Sequence, residues 1–344
     1  MAQTSSILTR RTRAISADTM PRNLTPMLAT AGELPVDAAA YNFEWKWDGM
    51  RALAYCQGEG LRLFSRNRLD VTAGYPELQS MASAIGAHSA VLDGEIVALD
   101  DAGLPSFAKL QRRMHVADPA TARRLARVAP VLYVLFDVLY LDGRSLMNES
   151  YTDRRHVLEE LTLAGPHWQM TSAHPGEGAA MLAAARHSGL EGIVAKRLDS
   201  IYVAGQRSTA WVKIKILRRQ EFVVGGWIAE ESGRAGRVGA MLLGYHDSEG
   251  KLHYAGRVGT GLAGPDHPVL VRVFEKCERL SSPFVESVPG RGIQFLDPKV
   301  VIEVEYRRWP DGGLVQQGAF KGVRFDKNPR KVVKELTFGE ECKR

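Results

Sequence analysis

The chain has 344 residues, of which 45% are hydrophobic and 24% are charged. This is the composition of a globular protein, and it excludes the disordered, collagenous and low-complexity classes. Forty-five lysines and arginines against 39 aspartates and glutamates give a net charge of +6, which favours a polyanionic partner such as nucleic acid. There is no apolar run of membrane-spanning length, no secretory signal and no metal-ligand spacing among the three cysteines. We therefore expect a soluble, cytoplasmic protein without disulfides or structural zinc.

The first 20 residues are rich in Ser, Thr and Arg and show little periodicity. They predict a basic flexible arm over residues 1–20. Its Arg10, Arg11 and Arg13 either contact phosphate or remain in solvent.

Apolar runs and turn signals alternate over residues 21–218, and they predict a first domain that mixes strands and helices. Residues 131–136 are continuously apolar but too few to cross a membrane, which predicts a strand buried on both faces of a sheet. The pattern predicts strands at 43–45, 51–56, 61–65, 90–99 and 131–141, and helices at 76–85, 119–128 and 177–187.

The pattern changes after a basic connector at residues 216–220. Short strand-like segments separated by glycine turns follow. They predict a small β-barrel over residues 219–344, and we expect the hinge between the domains at residues 218–221.

Residues 44–51 read EWKWDGMR and contain a candidate nucleophile, Lys46. A lysine amine is protonated at neutral pH and attacks only when desolvation or neighbouring cations favour its neutral form. Trp45 and Trp47 would desolvate this amine. Alone, such a segment more often marks a strand-end lysine whose amine stays in water.

Further motifs follow this segment in a fixed order. The motifs are EWKWDGMR at 44–51, SRN at 65–67, LDGEIV at 92–97, FD at 136–137, EGIVAK at 191–196, WVKIK at 211–215 and FKGVRFDK at 320–327. Their order and spacing resemble the covalent nucleotidyltransferase superfamily, and most specifically the ATP-dependent DNA ligases, including the compact bacterial enzymes related to the ligase domain of the end-joining repair polyprotein.

The resemblance implies an α+β fold. It consists of a nucleotidyltransferase (adenylation) domain with antiparallel and mixed sheets and flanking helices, followed by an OB-fold barrel. It also implies three reactions: formation of lysyl-AMP from ATP, transfer of AMP to the 5′-phosphate of a DNA nick, and attack by the 3′-hydroxyl with release of AMP.

Four residues carry the catalytic predictions. By resemblance, Lys46 becomes the lysyl-AMP, and Asp48 lies near the nick and its 3′-hydroxyl. Lys213 and Lys215 are two residues apart on a strand, so both point to one face and can reach the α-phosphate of ATP. Both would also help to keep Lys46 neutral.

The ATP and metal predictions also follow from the resemblance. Glu95 and Glu191 lie in apolar segments where an unpaired carboxylate is costly. Glu95 is assigned to the ribose and the metal, and Glu191 to the divalent cation, Mg²⁺ or Mn²⁺. Phe136 would stack on adenine, while Glu44 and the backbone at Trp45 would bind its N6 amino group.

The remaining predictions concern phosphates. Arg51 and Arg66 would hold the ribose region and the 5′-phosphate of the nick, because a guanidinium matches phosphate oxygens. Lys196 is a further candidate phosphate contact to nucleic acid. In the barrel, Arg324 and Lys327 would orient the β- and γ-phosphates of ATP.

Two other interpretations remain open. A GTP-using capping guanylyltransferase or an RNA ligase shares the Lys-x-Asp-Gly pattern, although the motifs at 191–196 and 211–215 look more like DNA ligase. A nucleic-acid-binding module without chemistry would leave Glu95, Glu191 and the paired lysines unexplained. We expect a monomer that acts on nicked duplex DNA near the nucleoid, with a repair polymerase or end-binding protein as a candidate partner.

Overall fold

The computed structural model describes residues 18–101, 103–230, 237–262, 267–310 and 312–335. The chain divides into two compact units, residues 1–216 and 217–344; the predicted domain boundary lay two residues further along. Residues 1–17 of the predicted arm, with its three arginines, lie outside the described residues. Among the described residues, no helix is long and apolar enough to span a membrane.

Two sheets form the described part of the first unit, and their strands are numbered here in chain order. The strands are β1 (Leu28–Ala31), β2 (Tyr41–Trp45), β3 (Met50–Gln57), β4 (Gly60–Ser65), β5 (Ala90–Ala98), β6 (Val131–Leu141), β7 (Arg144–Ser145), β8 (Ala164–Gly165), β9 (Trp168–Met170), β10 (His174–Pro175), β11 (Gly192–Arg197) and β12 (Arg207–Lys215). The smaller sheet has the order β1-β12-β11-β2-β10, and the larger has the order β4-β3-β5-β6-β9-β8 with β7 beside β6. Most pairs are antiparallel, but β1–β12 and β6–β9 are parallel, so the predicted mixed sheets are confirmed.

Strand β6 is buried along nearly its whole length, as its sequence predicts. Its side chains enter two different cores. Tyr133 and Leu135 pack with helical residues on one side of the larger sheet, whereas Phe136 and Leu139 pack with Trp211 of the smaller sheet. The two sheets therefore pack against each other at Phe136 and Trp211.

Helices flank these sheets. Helix α3 has the predicted bounds because Asp118 accepts a hydrogen bond from the Thr121 N–H and a proline begins its first turn. The helix predicted at 76–85 is instead a 3₁₀ turn, Pro76–Leu78, followed by a short α-helix; Glu77 binds the buried Arg113 and fixes that turn. The helices are α1 (Met81–Ile85), α2 (Phe107–Gln111), α3 (Pro119–Val128), α4 (Tyr151–Glu160) and α5 (Gly178–His187).

The second unit is the predicted barrel. Strand β13 pairs with β14 and β17, β14 pairs with β15, and β17 pairs with β18. A bridge between Thr260 and Ala319 joins the end of β15 to β18 and closes the ring, which is the five-stranded arrangement of an OB fold. Its elements are β13 (Arg218–Ala229), β14 (Val238–His246), β15 (Leu252–Val258), α6 (His267–Glu275), β16 (Glu278–Arg279), β17 (Ile293–Tyr306) and β18 (Ala319–Val323).

The hinge predicted at residues 218–221 stays a prediction. These four residues are the first part of β13 and pair in register with Tyr306, Glu305, Val304 and Glu303 of β17. Ladder hydrogen bonds therefore hold them in the barrel. The residues between β12 and β13 are Ile216 and Leu217.

Candidate active site

Lys46 lies directly after β2, where the smaller sheet brings three predicted motifs side by side. Strand β11 pairs with both β2 and β12, so the motifs at 44–51, 191–196 and 211–215 are neighbours in space. The Lys46 N–H donates to the Gly192 carbonyl at 3.0 Å. Its amine lies 2.5 Å from the Glu191 carboxylate, whose other oxygen is 3.4 Å from the Lys215 amine.

A glycine directly after Glu191 makes this approach of the strands possible. Gly192 has a φ of 148°, and a Cβ there would lie 2.1 Å from the Ile214 carbonyl oxygen. Only glycine fits without displacing β12. The glycine of the EGIVAK motif therefore sets where the Glu191 carboxylate meets Lys46.

A cavity of about 240 Å³ opens beside Lys46. Seven cationic side chains line it within the described residues, against four carboxylates that line it or pair with these cations: Glu44, Asp93, Glu95 and Glu191. Such an excess of positive charge suits a polyphosphate. The cations are Lys46, Arg51, Arg66, Lys196, Arg207, Lys213 and Lys215.

Arg51 is fixed by a buried acid. Both oxygens of Asp93, which is fully buried, accept hydrogen bonds of 2.6 Å from the Arg51 guanidinium. Tyr202 donates to Asp93 at 2.5 Å and accepts from the Met27 N–H at 2.9 Å. Because this pair is bidentate, the guanidinium has one orientation, with its carbon 4.5 Å from the centre of the Phe136 ring.

A second buried group forms the floor of the cavity. Lys196 Nζ lies 2.8 Å from one oxygen of Glu44, and Tyr151 donates to the other oxygen at 2.6 Å. Lys196 is 2% exposed, and its amine packs 4.4 Å from the centre of the Phe136 ring and 4.3 Å from that of Trp211. The structure therefore contradicts the prediction that Lys196 contacts nucleic acid, because a backbone phosphate cannot reach this amine.

Phe136 and Trp211 form the aromatic wall of the cavity. Their rings meet edge to face with centroids 6.4 Å apart. Phe136 is 7% exposed because Arg51 and Lys196 cover much of it. A purine that stacks on Phe136 would thus also contact these two cations.

The predicted metal carboxylates lie close to Lys46. Burial raises the pKa of Glu95 to about 7, against the opposing influence of Arg51 and Lys46, and the negative charges of Asp93 and Glu191 contribute to the rise. Two carboxylates close enough to repel each other fit a divalent cation that accepts oxygen ligands. Among the described residues there is no group of three or more His, Cys, Asp or Glu side chains that could hold a metal ion, so phosphate and water oxygens would complete the coordination.

Lys213 and Lys215 both line the cavity, as their spacing predicts. Burial and the positive charges of Arg207, Lys215 and Lys46 lower the pKa of Lys213. Lys46, Lys213 and Lys215 thus form one cationic group at the cavity, and two of them, Lys46 and Lys215, also pair with Glu191.

The structure locates the remaining predicted residues as follows. Trp45 and Arg66 line the cavity, and Arg66 also lines a second groove. Asp48 lies in the turn between β2 and β3. In the barrel, Arg324 and Lys327 both bind Glu221, at 3.0 and 2.9 Å, and Arg324 also binds Asp326.

Sequence reasoning assigned no role to Asp93, Tyr151, Tyr202 or Arg207. Asp93 lies in the LDGEIV motif, where a charge inside an apolar strand already signals a buried partner. The partner itself depends on the register between β3 and β5. No local sequence pattern indicates a role for the two tyrosines, because each binds a carboxylate that is distant in the sequence. Tyr151 binds Glu44, and Tyr202 binds Asp93.

Comparison with known proteins identifies the family. The model for the ATP-dependent DNA ligase domain matches residues 26–215, and the model for the C-terminal region of ATP-dependent DNA ligases matches residues 234–327. The first match alone covers more than half of the chain. The fold and site therefore define an ATP-dependent nucleotidyltransferase, and the chain belongs to the ATP-dependent DNA ligase family.

The relatives in this family include multidomain repair proteins. The chain is 42% identical, over 317 residues, to the multifunctional non-homologous end joining DNA repair protein LigD of Mycobacterium tuberculosis; the match covers 91% of this chain and 40% of that protein. The crystal structure of the M. tuberculosis LigD ligase domain matches with 40% identity and a TM-score of 0.54, covering 91% of this chain and 99% of that one. A structure of mycobacterial DNA ligase D complexed with ATP and MES gives the same values.

Proposed function

We propose that this protein seals nicks between a 5′-phosphate and a 3′-hydroxyl in duplex DNA, through a lysyl-AMP on Lys46 and an adenylylated DNA end. The observation that carries this proposal is the Lys46 amine beside a cavity lined by seven cationic side chains. The cavity holds a nucleophile, charge for a triphosphate and an aromatic wall for a base. A binding module would need none of these together.

In the first step, Lys46 Nζ attacks the α-phosphorus of ATP. An N–P bond forms and the bond to pyrophosphate breaks. Lys213 and Lys215 would stabilise the negative charge that develops on the α-phosphate oxygens. In the barrel, Arg324 and Lys327 would orient the leaving pyrophosphate, which requires them to exchange Glu221 for phosphate oxygens.

Glu95 and Glu191 would hold the divalent cation, Mg²⁺ or Mn²⁺. When bound, this cation neutralises phosphate charge and acts as a Lewis acid. Glu191 would then exchange the Lys46 ammonium for the metal, and the freed ammonium would lose its proton to solvent before the neutral amine attacks. The ion pair at 2.5 Å thus holds the nucleophile in place before the nucleotide binds.

Adenine would stack on Phe136. Glu44 accepts hydrogen bonds, so its carboxylate, with the backbone at Trp45, would select the N6 amino group of adenine against the O6 oxygen of guanine. Arg51, fixed by Asp93, would bind the ribose region. Arg66, which lines both the cavity and the neighbouring groove, would hold the 5′-phosphate of the nick near Asp48.

The biological setting is part of the same proposal. The curated relatives named above act in end joining, and this chain spans about 40% of their length. We propose a repair ligase that works as a monomer on nucleoid DNA in the cytoplasm. A repair polymerase or an end-binding protein would bring it to its substrate.

The test is a sealing assay on a duplex with one 5′-labelled nick, run with ATP and a divalent cation. We expect DNA nicks to be sealed with ATP but not with GTP, and Lys46→Ala to seal none. Better sealing of RNA nicks, or a preference for GTP, would contradict the proposal.

A further inference from the structure

A groove of about 780 Å³ lies next to the catalytic cavity in the first unit. Arg51, Arg66 and Glu95 line both spaces, so the groove leads directly to the reacting centre. Its far end is formed by residues 113–117, between α2 and α3. The groove therefore connects the catalytic cavity to these two helices.

The helices at the end of the groove carry most of the excess charge of the chain. Residues 103–130 contain six lysines and arginines but one acid, Asp118, whereas the net charge of all 344 residues is +6. Such a concentration of one sign on a short segment is the electrostatic pattern of a surface that binds a polyanion.

Two of these six cations have structural roles. Arg113 is buried and binds Glu77, the Gly74 carbonyl and the Ala129 carbonyl, and so anchors the segment between the helices. Lys109 forms an ion pair with Asp101. The other four are exposed and have no carboxylate within ion-pair distance among the described residues. They are Arg112, Arg123, Arg124 and Arg127, and we call them the arginine surface.

The orientation of α3 explains why three of these side chains point the same way. Ala122 is buried, and Thr121, Leu125 and Ala126 are half-buried. Positions 123, 124 and 127 are three and four residues apart, so they share the opposite face of the helix. Ten residues of helix span about 15 Å, enough to follow several phosphates of a DNA backbone.

We propose that the arginine surface binds the phosphate backbone of the duplex beside the nick, and that the groove leads the strand with the 5′-phosphate to Arg66. This inference rests on the proposed ligase function. Guanidinium groups without carboxylate partners fit phosphate oxygens. Phe107, 40% exposed and part of the groove lining, offers an apolar contact to sugar or base.

The test compares the wild type with a triple variant, Arg123→Gln, Arg124→Gln and Arg127→Gln. Glutamine and arginine have similar helix propensities, so α3 is retained. A matched control replaces three exposed arginines elsewhere in the unit, Arg144→Gln, Arg186→Gln and Arg197→Gln, with the same change in net charge. The readouts are lysyl-AMP formation without DNA and the Kd for nicked duplex over a salt series.

We expect the triple variant to form lysyl-AMP at the wild-type rate, while its Kd for nicked duplex rises about tenfold. The slope of log Kd against log salt should fall by about 2.7, because each lost phosphate contact removes about 0.9. The control should keep the wild-type slope. Arg112→Gln alone should lower the slope by about 0.9.

Two outcomes would overturn the inference: an unchanged slope in the triple variant, or an equal loss in the control. Slower lysyl-AMP formation without DNA in the triple variant would also contradict it, since these arginines would then serve the nucleotide. A wild type that forms no lysyl-AMP would instead refute the proposed function, so the two failures are distinguishable.

Discussion

Lys46 and Glu191, 145 residues apart in the sequence, are joined by an ion pair of 2.5 Å between Nζ and Oε2. The Glu191 side chain is 3% exposed and the Lys46 side chain is 20% exposed. Burying a carboxylate without a partner is costly, and Lys46 is the partner of this one. The predicted nucleophile and the predicted metal ligand are therefore partners of each other.

Replacing this carboxylate should slow the first reaction. Glu191→Gln keeps the shape of the side chain but removes its negative charge. The side chain then pairs less well with Lys46 and would no longer hold the metal. We expect lysyl-AMP formation at saturating ATP to slow by about 100-fold. Single-turnover labelling measures this rate.

A suitable control for Glu191→Gln is Glu159→Gln, which removes an exposed carboxylate on α4 that pairs with Arg155. It should retain the wild-type rate. If both variants keep that rate, Glu191 has no role in the first step.

Asp93 should matter for folding as well as for the orientation of Arg51. Asp93→Asn leaves the Arg51 guanidinium, 19% exposed, without its counter-ion, and breaking a buried ion pair costs about 3 kcal/mol or more. We expect the free energy of unfolding in urea to fall by about this amount. Tyr202→Phe removes the hydrogen bond that Tyr202 donates to the same acid and the one it accepts from the Met27 N–H, and should cost about 2 kcal/mol. Equal losses in the two variants would contradict this account of Arg51.

The barrel contains a histidine whose charge should make stability depend on pH. Both ring nitrogens of His253 bind carboxylates, Asp247 at 2.8 Å and Glu286 at 2.6 Å. Hydrogen bonds to these two acids raise the pKa of His253. Because the folded pKa is raised, the stabilisation is fully present below the unfolded value of about 6.5 and is lost as the pH rises through the folded pKa.

Urea unfolding of the wild type and His253→Gln between about pH 5.5 and pH 9 tests this linkage. The difference between their free energies of unfolding should be largest at low pH and should shrink as the pH rises. A difference that is constant across the range would show that the protonated imidazole contributes nothing.

Much of the first unit could be predicted because its signals are local. The apolar run of β6 predicts a buried strand with the observed bounds, and Asp118 followed by Pro119 predicts the start of α3. Helix α4 was not predicted, although Ser150 caps it by accepting from the Asp153 N–H. Ser150 and Asp153 form a recognisable start signal for a helix.

Side-chain contacts that depend on strand register could not be predicted from the sequence. Lys196 stands at the charged end of β11 and looks exposed. In the sheet, Val194 pairs with Glu44, so the neighbouring strand supplies the carboxylate that Lys196 binds. In the same way, Asp93 has a visible charge in an apolar strand, but only the folded sheet shows that Arg51 neutralises it.

Lysyl-AMP formation tests the central claim most directly. Protein stripped of AMP with pyrophosphate is incubated with α-labelled ATP and a divalent cation, separated on a denaturing gel, and its labelled peptide is identified. Label on the peptide that contains Lys46, absent from Lys46→Ala, is the predicted result. Label that persists in Lys46→Ala, or no label on the wild type, would contradict the account.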